Sequence, residues 1–184
     1  MKARDMTLAA LFAALTAIGA FIRIPMVPVA ISLQLFFVML AGLILGPKLG
    51  ALSQIIYIAI GLIGIPIFTE GGGPAYVLKP SFGYLIGFIA TAYISGWLSR
   101  PTGDKKVGFI HIMAALTAGI LADYIIGVPY MYLVVTYYIG GSMTIGTALT
   151  SGFLIFLPGD IAKAIAASLI WQNIRGRLPM MQRS

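Results

Sequence analysis

Six apolar runs, at about 6–22, 32–46, 48–64, 82–98, 107–127 and 158–174, follow one another along the chain, separated by proline, glycine or charge. Each lies near the lower end of the roughly 17–25 residues a helix needs to cross a bilayer. The runs are continuous and rich in Ala, Leu and Met, which suits helices and not the alternating strands of a membrane barrel. Of 184 residues, 60% are hydrophobic and 9% charged, more apolar surface than a water-soluble core of this size can hide. The expected fold class is therefore all-α: a polytopic membrane protein, a single domain over 1–184 with six transmembrane helices. The breaks have local causes. Pro25 and Pro28 follow the first run, Gly46-Pro47 divides the second from the third, and Gly64-Ile65-Pro66 closes the third, each placing a residue that cannot donate a helical hydrogen bond. Lys2 and Arg4 ahead of the first run would also suit a cleaved leader, but that run is as long as the later ones and reads as a retained helix.

Charge orients the bundle. If the runs alternate in direction, Lys2, Arg4, Lys48, Arg100, Lys105, Lys106, Arg175, Arg177 and Arg183 share one side, and only Arg23 and Lys79 face the other. The positive-inside rule makes the first side, with both termini, cytoplasmic. The net charge of +7 is thus explained by topology, and a nucleic-acid partner is not expected. No cysteine is present, and the single histidine, His111, has no neighbouring ligand in sequence, so neither a metal site nor a cofactor is expected. Ser81 and His111 fall near opposite faces of the membrane and no Gly-x-Ser-x-Gly turn occurs, which disfavours an intramembrane hydrolase and leaves no catalytic residue to name.

Two connections, about 65–81 and 128–157, are expected outside. Residues 130–138 carry four tyrosines and no charge. They suit an interfacial aromatic belt or a lid over a pocket. The stretch 143–157 is short for a seventh span, and an odd count would put the basic C-terminus outside.

Asp160 and Lys163 are the strongest chemical signal. Both fall in the sixth run, where an ionised group costs about 2.5–3.5 kcal/mol at the helix centre. Their i,i+3 spacing puts them on one face, and Pro158-Gly159-Asp160 reads as a helix start favourable to a carboxylate. Lys163 is disfavoured there by the dipole, so Asp160, an anionic ligand or a carbonyl must hold it. A pair that only fixes helix packing is the plainer alternative. The loop Thr69-Glu70-Gly71-Gly72-Gly73-Pro74-Ala75-Tyr76 and the following Lys79-Pro80-Ser81-Phe82-Gly83-Tyr84 offer open backbone groups and an aromatic wall. The loop lacks the Gly-Lys-Ser/Thr of a phosphate-binding loop, so ATP hydrolysis by this chain is not expected. Ala9/Ala13 and Ala10/Ala14 make small-xxx-small pairs on the first helix, suited to a neighbouring span or another subunit. Asp123 is a lone acid in the fifth run, either an acceptor in helix packing or a pocket residue.

With the run Pro80–Phe88, the loop Gly71–Tyr76, the start Pro158-Gly159-Asp160-Ile161-Ala162-Lys163 and the Ala-rich first helix, the chain resembles the BioY family, the biotin-specific substrate-binding S components of energy-coupling factor (ECF) transporters. The resemblance covers most of the chain. It implies six helices with biotin bound near the outer face, and first-helix alanines Ala9, Ala10, Ala13 and Ala14 docking onto a transmembrane T component driven by two ABC-type ATPase subunits. It also implies a prokaryotic cell membrane as the location. Asp160, Lys163, Gly73, Tyr76, Lys79, Phe82, Tyr84 and Gln34 are the expected ligand-binding residues. Biotin's ureido group has N–H donors and a carbonyl acceptor, complementary to an acidic acceptor beside a lysine donor, while Lys163 could instead meet the valerate carboxylate. Apolar carbons of the ligand would pack on Phe82, Tyr84 and the outer tyrosines. Two other readings stand beside this one: an S component for another vitamin, and a non-transporting structural membrane protein.

Overall fold

In the computed structural model, which describes residues 2–100 and 107–175, the chain forms six helical rods. Lys105, Lys106, Arg177 and Arg183 lie outside the described residues. The first four rods are α1 (Ala3–Phe21), α2 (Gln34–Leu45), α3 (Pro47–Leu62) and α4 (Phe82–Leu98). The fifth is α5 (Phe109–Leu133), prolonged by a π turn at Val134–Tyr138. In the sixth, α6 (Ile145–Leu149) and a π turn at Thr150–Leu154 lead into α7 (Leu157–Ile174). The all-α expectation holds, and its boundaries need one revision. The fifth helix does not stop near 127, and most of 128–157 is helical. Pro129 lies inside α5; a membrane helix tolerates the lost hydrogen bond where neighbouring elements restore the packing. The Ile155 amide donates to the Thr150 carbonyl at 3.1 Å, the i to i+5 bond that lets the stretch before Pro158 join α7 as one rod. That stretch is therefore the first part of the sixth rod and not a seventh span.

The side chains are distributed as lipid requires. Thr16, Gln34, Ser53, Gln54, Thr91, Ser95, Asp123, Asp160 and Ser168 are buried, whereas Phe21, Trp97, Ile110 and Ile125 project outward. Most of the buried hydroxyls find helix carbonyls: Thr16 Oγ1 donates to Phe12 O at 2.9 Å and Thr91 Oγ1 to Gly119 O at 2.9 Å. Without water inside the membrane such groups must be satisfied within the protein. α2 is buried over most of its length and forms the central rod, with Val38, Met39, Ala41 and Leu43 all fully enclosed.

Direct contacts show that the rods alternate. At one end, Arg100 beyond α4 donates to Ile44 O of α2 at 3.4 Å, and Trp171 Nε1 of α7 to Leu43 O at 3.2 Å, while Arg175 reaches Val107 O ahead of α5. At the other end, the Leu33 amide before α2 donates to Gly19 O near the end of α1 at 3.1 Å. Both described ends of the chain therefore lie on the same side. Gly46, at φ +85°, turns α2 into α3 and its amide closes on Gly42 O at 2.9 Å; Pro47 then starts α3 at a position needing no donor.

A two-residue antiparallel ribbon, β1 (Arg23–Ile24) and β2 (Ile31–Ser32), joins α1 to α2, with Arg23 opposite Ser32 and Ile24 opposite Ile31. The connection from α3 to α4 folds over the same end. It contains a bridge between Phe68 and Gly71 and a 3-10 turn at Pro74–Leu78. Its ties are firm: the Gly73 amide donates to Gly61 O at 2.7 Å, Tyr57 Oη to Ile67 O at 2.9 Å, and Tyr130 Oη to Val77 O.

Candidate functional site

The end of the bundle under those connections holds a small cavity. It is walled by Asp160 and Lys163 of α7, Asp123 and Tyr124 of α5, Tyr84, Leu85 and Phe88 of α4, and Gln34 and Leu35 of α2. Val29, Ser32, Thr69, Ser81 and Phe156 complete the lining from the connections and helix ends. The α4 contribution follows from spacing: with Ser81 just before the helix, positions 81, 84, 85 and 88 are i, i+3, i+4 and i+7, a single helical face.

Asp160 is the best-connected group in this wall. Its Oδ1 accepts from Lys163 Nζ at 2.7 Å and its Oδ2 from the Tyr124 hydroxyl. It sits in the first turn of α7, where the helix dipole favours a carboxylate, and Pro158 occupies the position before it that needs no donor. Lys163 is largely buried, with its side chain 13% exposed. It is ion-paired with Asp160, and the other ion pair among the described residues, Lys79 to Glu70 at 3.1 Å, stands on the surface. Asp123 is 2% exposed, and its Oδ1 has no hydrogen-bond partner.

The opposite wall is polar but uncharged. Gln34 Nε2 donates to Tyr57 Oη at 2.7 Å and its Oε1 accepts from Ser32 Oγ at 2.9 Å, which fixes the amide. Behind Thr69 and Ser81, the Tyr76 hydroxyl lies 3.0 Å from each of their oxygens. The apolar surface comes from Tyr84 and Phe156, stacked at 6.2 Å between centroids, with Leu35, Leu85 and Phe88. Tyr84 Oη donates to Gly152 O at 2.8 Å and so ties α4 to the π turn of the sixth rod.

The residues expected from sequence divide into three groups. Asp160, Lys163, Tyr84 and Gln34 come together around the cavity. Tyr76 stands one layer behind it as the hydrogen-bonded support of Thr69 and Ser81. Gly73, Lys79 and Phe82 do not line it. Gly73, at φ +101°, turns the loop. Lys79 extends to Glu70, because its place after the 3-10 turn directs it to the surface. Phe82 packs on Tyr130 at 6.0 Å. The outer tyrosines are likewise outside the lining: Tyr137 and Tyr138 are exposed like a belt, and Tyr130 holds the loop. Tyr124, Ser32, Thr69, Leu35, Leu85, Phe88 and Phe156 were not singled out as site residues. The i+3/i+4 face through Tyr84 could have found Leu85 and Phe88, whereas the rest depend on elements distant in sequence.

The first-helix alanines also separate. Ala9 and Ala13 are 0% and 4% exposed and face the bundle, while Ala10 and Ala14 are exposed. Ala10, Ala14, Ala17 and Ile18, with the edge of Ala13, border a shallow groove against Tyr57, Ile60 and Ile67. His111 is not near Ser81; its Nε2 lies 2.7 Å from Leu98 O at the far end.

Comparison with known proteins agrees with this architecture. The model of the BioY family matches residues 1–180. A probable biotin transporter BioY of Pyrococcus horikoshii is 41% identical over 96% of this chain and 99% of its own length. One from Lysinibacillus sphaericus is 40% identical over 92% of this chain and 86% of its own. Among solved structures, the S-component for biotin from an ECF-type ABC transporter superimposes with a TM-score of 0.80 at 30% identity, covering 96% of this chain and 95% of that one.

Proposed function

Since the chain belongs to the BioY family, we propose that its cavity is a biotin site in a membrane-embedded S component of an ECF-type transporter, open to capture at the outer face. The chain binds and carries, and ATP hydrolysis falls to two ABC-type ATPase subunits joined to it through a T component. The multi-pass bundle lies in a prokaryotic cell membrane. Its arginine-bearing end, with Arg100 and Arg175, is cytoplasmic and its cavity end faces outward.

The observation that carries this reading is the enclosed Asp160–Lys163–Tyr124 cluster facing the cavity. A ureido group presents two N–H donors and one carbonyl acceptor, and a carboxylate flanked by an ammonium and a phenol offers acceptor and donors side by side. Lys163, the one cation of this wall, is already paired with Asp160, which leaves no unpaired positive charge for an anionic group there. The valerate is thus assigned to the uncharged wall of Ser32, Gln34, Thr69 and Ser81, and the ring and chain carbons to Leu35, Tyr84, Leu85, Phe88 and Phe156. No cofactor has a role in this scheme. A purely structural role for the Asp160–Lys163 pair leaves the cavity, and the unpartnered Asp123 beside it, without purpose.

Calorimetric titration of the detergent-solubilised protein with biotin tests the assignment, with thiamine and riboflavin as controls. Heat is the better readout, because Trp97 is exposed and Trp171 packs on Leu43 at the end away from the cavity. Biotin alone should bind, near one to one, and Lys163→Ala should weaken it by about tenfold or more; an unchanged dissociation constant in that variant rejects the site. Coupling is assigned to the outward face of α1. Ala14→Trp should keep biotin affinity while the chain no longer co-purifies with its ATPase module, and normal co-purification contradicts that docking face.

A further inference from the structure

The surface of the cavity end carries little charge. Outside the cavity, the charged residues of this end are Arg23, Glu70 and Lys79. Glu70 and Lys79 neutralise each other across 3.1 Å. Arg23 is exposed, and neither ion pair among the described residues includes it. One uncompensated positive charge is therefore left on a surface whose other connections are apolar or merely polar.

Strand register places that charge. Residues directly opposite in an antiparallel pair share a face, with Cβ atoms about 4.5–5.5 Å apart. Arg23 stands opposite Ser32, and Ser32 lines the cavity. The ribbon is pinned where the two meet, because the Leu33 amide donates to Ile22 O at 3.0 Å and to Gly19 O at 3.1 Å. Arg23 thus rises beside the uncharged wall of Ser32, Gln34, Thr69 and Ser81 without itself lining the cavity. A charge in that position, at the edge of a low-dielectric bundle, acts on a ligand that is still in water. Rim charges of this kind change association rates and their salt dependence more than they change the finished complex.

We propose that Arg23 is a capture residue, whose guanidinium draws the carboxylate end of a monoanionic ligand toward the ribbon and sets the association rate. It favours anions over neutral analogues before the cavity is entered, and it takes no part in holding the bound ligand. The inference rests on the biotin reading above and adds a selection step outside the site. A unit charge pair at roughly 6 Å in water corresponds to about threefold in rate, and salt removes that advantage.

The test measures association and dissociation rates on the full chain in nanodiscs of zwitterionic lipid, by rapid filtration of radiolabelled biotin and of its uncharged carboxamide. In wild type, raising the salt from about 20 mM to about 500 mM should slow biotin association about threefold and leave the carboxamide unchanged. Arg23→Gln should lower the low-salt rate for biotin to the high-salt value, with dissociation unaltered. Arg23→Glu should invert the salt dependence, so that biotin associates faster as salt rises; a residue that only fixes the ribbon or sits among headgroups would not change that sign. If the glutamate variant fails to fold, the glutamine variant and the wild-type salt series carry the comparison. A wild-type rate for biotin that ignores salt, or variants that slow biotin and its carboxamide equally, overturn the role of Arg23 and leave the biotin site standing. A folded wild type that binds neither probe overturns the site assignment itself.

Discussion

The cavity end and the opposite end of the bundle are built from the same six rods but are packed differently. At the far end the helices close on backbone. A Cβ on Gly42 would lie 2.6 Å from Ala92 O and from Ser95 Oγ, and one on Gly96 would lie 2.7 Å from Gly42 O. Such small-residue contacts give membrane helices close van der Waals packing where the hydrophobic effect offers little. Several polar groups there bond to backbone, with Ser99 Oγ donating to Gly96 O at 3.2 Å and Trp171 and Arg100 to α2 carbonyls, while Gln172 Nε2 is buried without a partner. At the cavity end the rods splay around polar side chains, and one acid has no partner. Cohesion and recognition are thus divided along the membrane normal, and a substitution should affect one or the other according to where it falls.

The largest effect on recognition is expected from Asp160→Asn combined with Lys163→Met. Biotin affinity should fall by about 100-fold or more, while the unliganded protein keeps its thermal midpoint or gains slightly, because removing both members of a buried ion pair is often neutral or stabilising. Titration and thermal unfolding on the same sample measure both. Loss of folding would show that the two ends are not separable. The converse at the far end is Gly96→Leu, which forces α4 away from α2. A stability loss of about 1–3 kcal/mol or more is expected, with the folded fraction binding biotin within about twofold of wild type. A large change in its dissociation constant would mean that the far end shapes the cavity. The smallest effect belongs to Glu70→Gln. Its pair with Lys79 is at the cavity end but half in solvent, with side chains 32% and 50% exposed, so about 0–1 kcal/mol and less than about twofold in affinity is expected. A loss as large as that of Lys163→Ala would return Lys79 to the site.

The count and type of spans were legible because lipid leaves few options: a long apolar run becomes a helix so that every backbone group is bonded within it. The ends of the fifth and sixth rods were not legible. Pro129 and the glycines at 146 and 152 look like breaks, yet π turns and neighbouring helices carry the rods through them. Asp160 and Lys163 stood out because charge in a span is costly. Lys79 falls outside the cavity lining for the opposite reason: in a loop, a charge is free to turn to the surface, here to Glu70. The alanine pairs were visible as a motif, but the two pairs are offset by one residue, about 100° around the helix, and only packing shows that Ala9 and Ala13 turn inward and Ala10 and Ala14 outward.

What the sequence determined alone is what depends on a residue and its near neighbours along the chain. That covers the helical spans, the charge asymmetry between the ends, the Asp160–Lys163 pair at i,i+3 and the glycine-rich loop. What tertiary structure decided is which of those features share a space. Tyr124 reaches Asp160 across 36 positions in sequence and Tyr84 reaches Gly152 across 68, separations for which no local period exists. That Asp123 Oδ1 has no partner is visible in the same way, since an unmet hydrogen bond shows only once all its possible partners are in place.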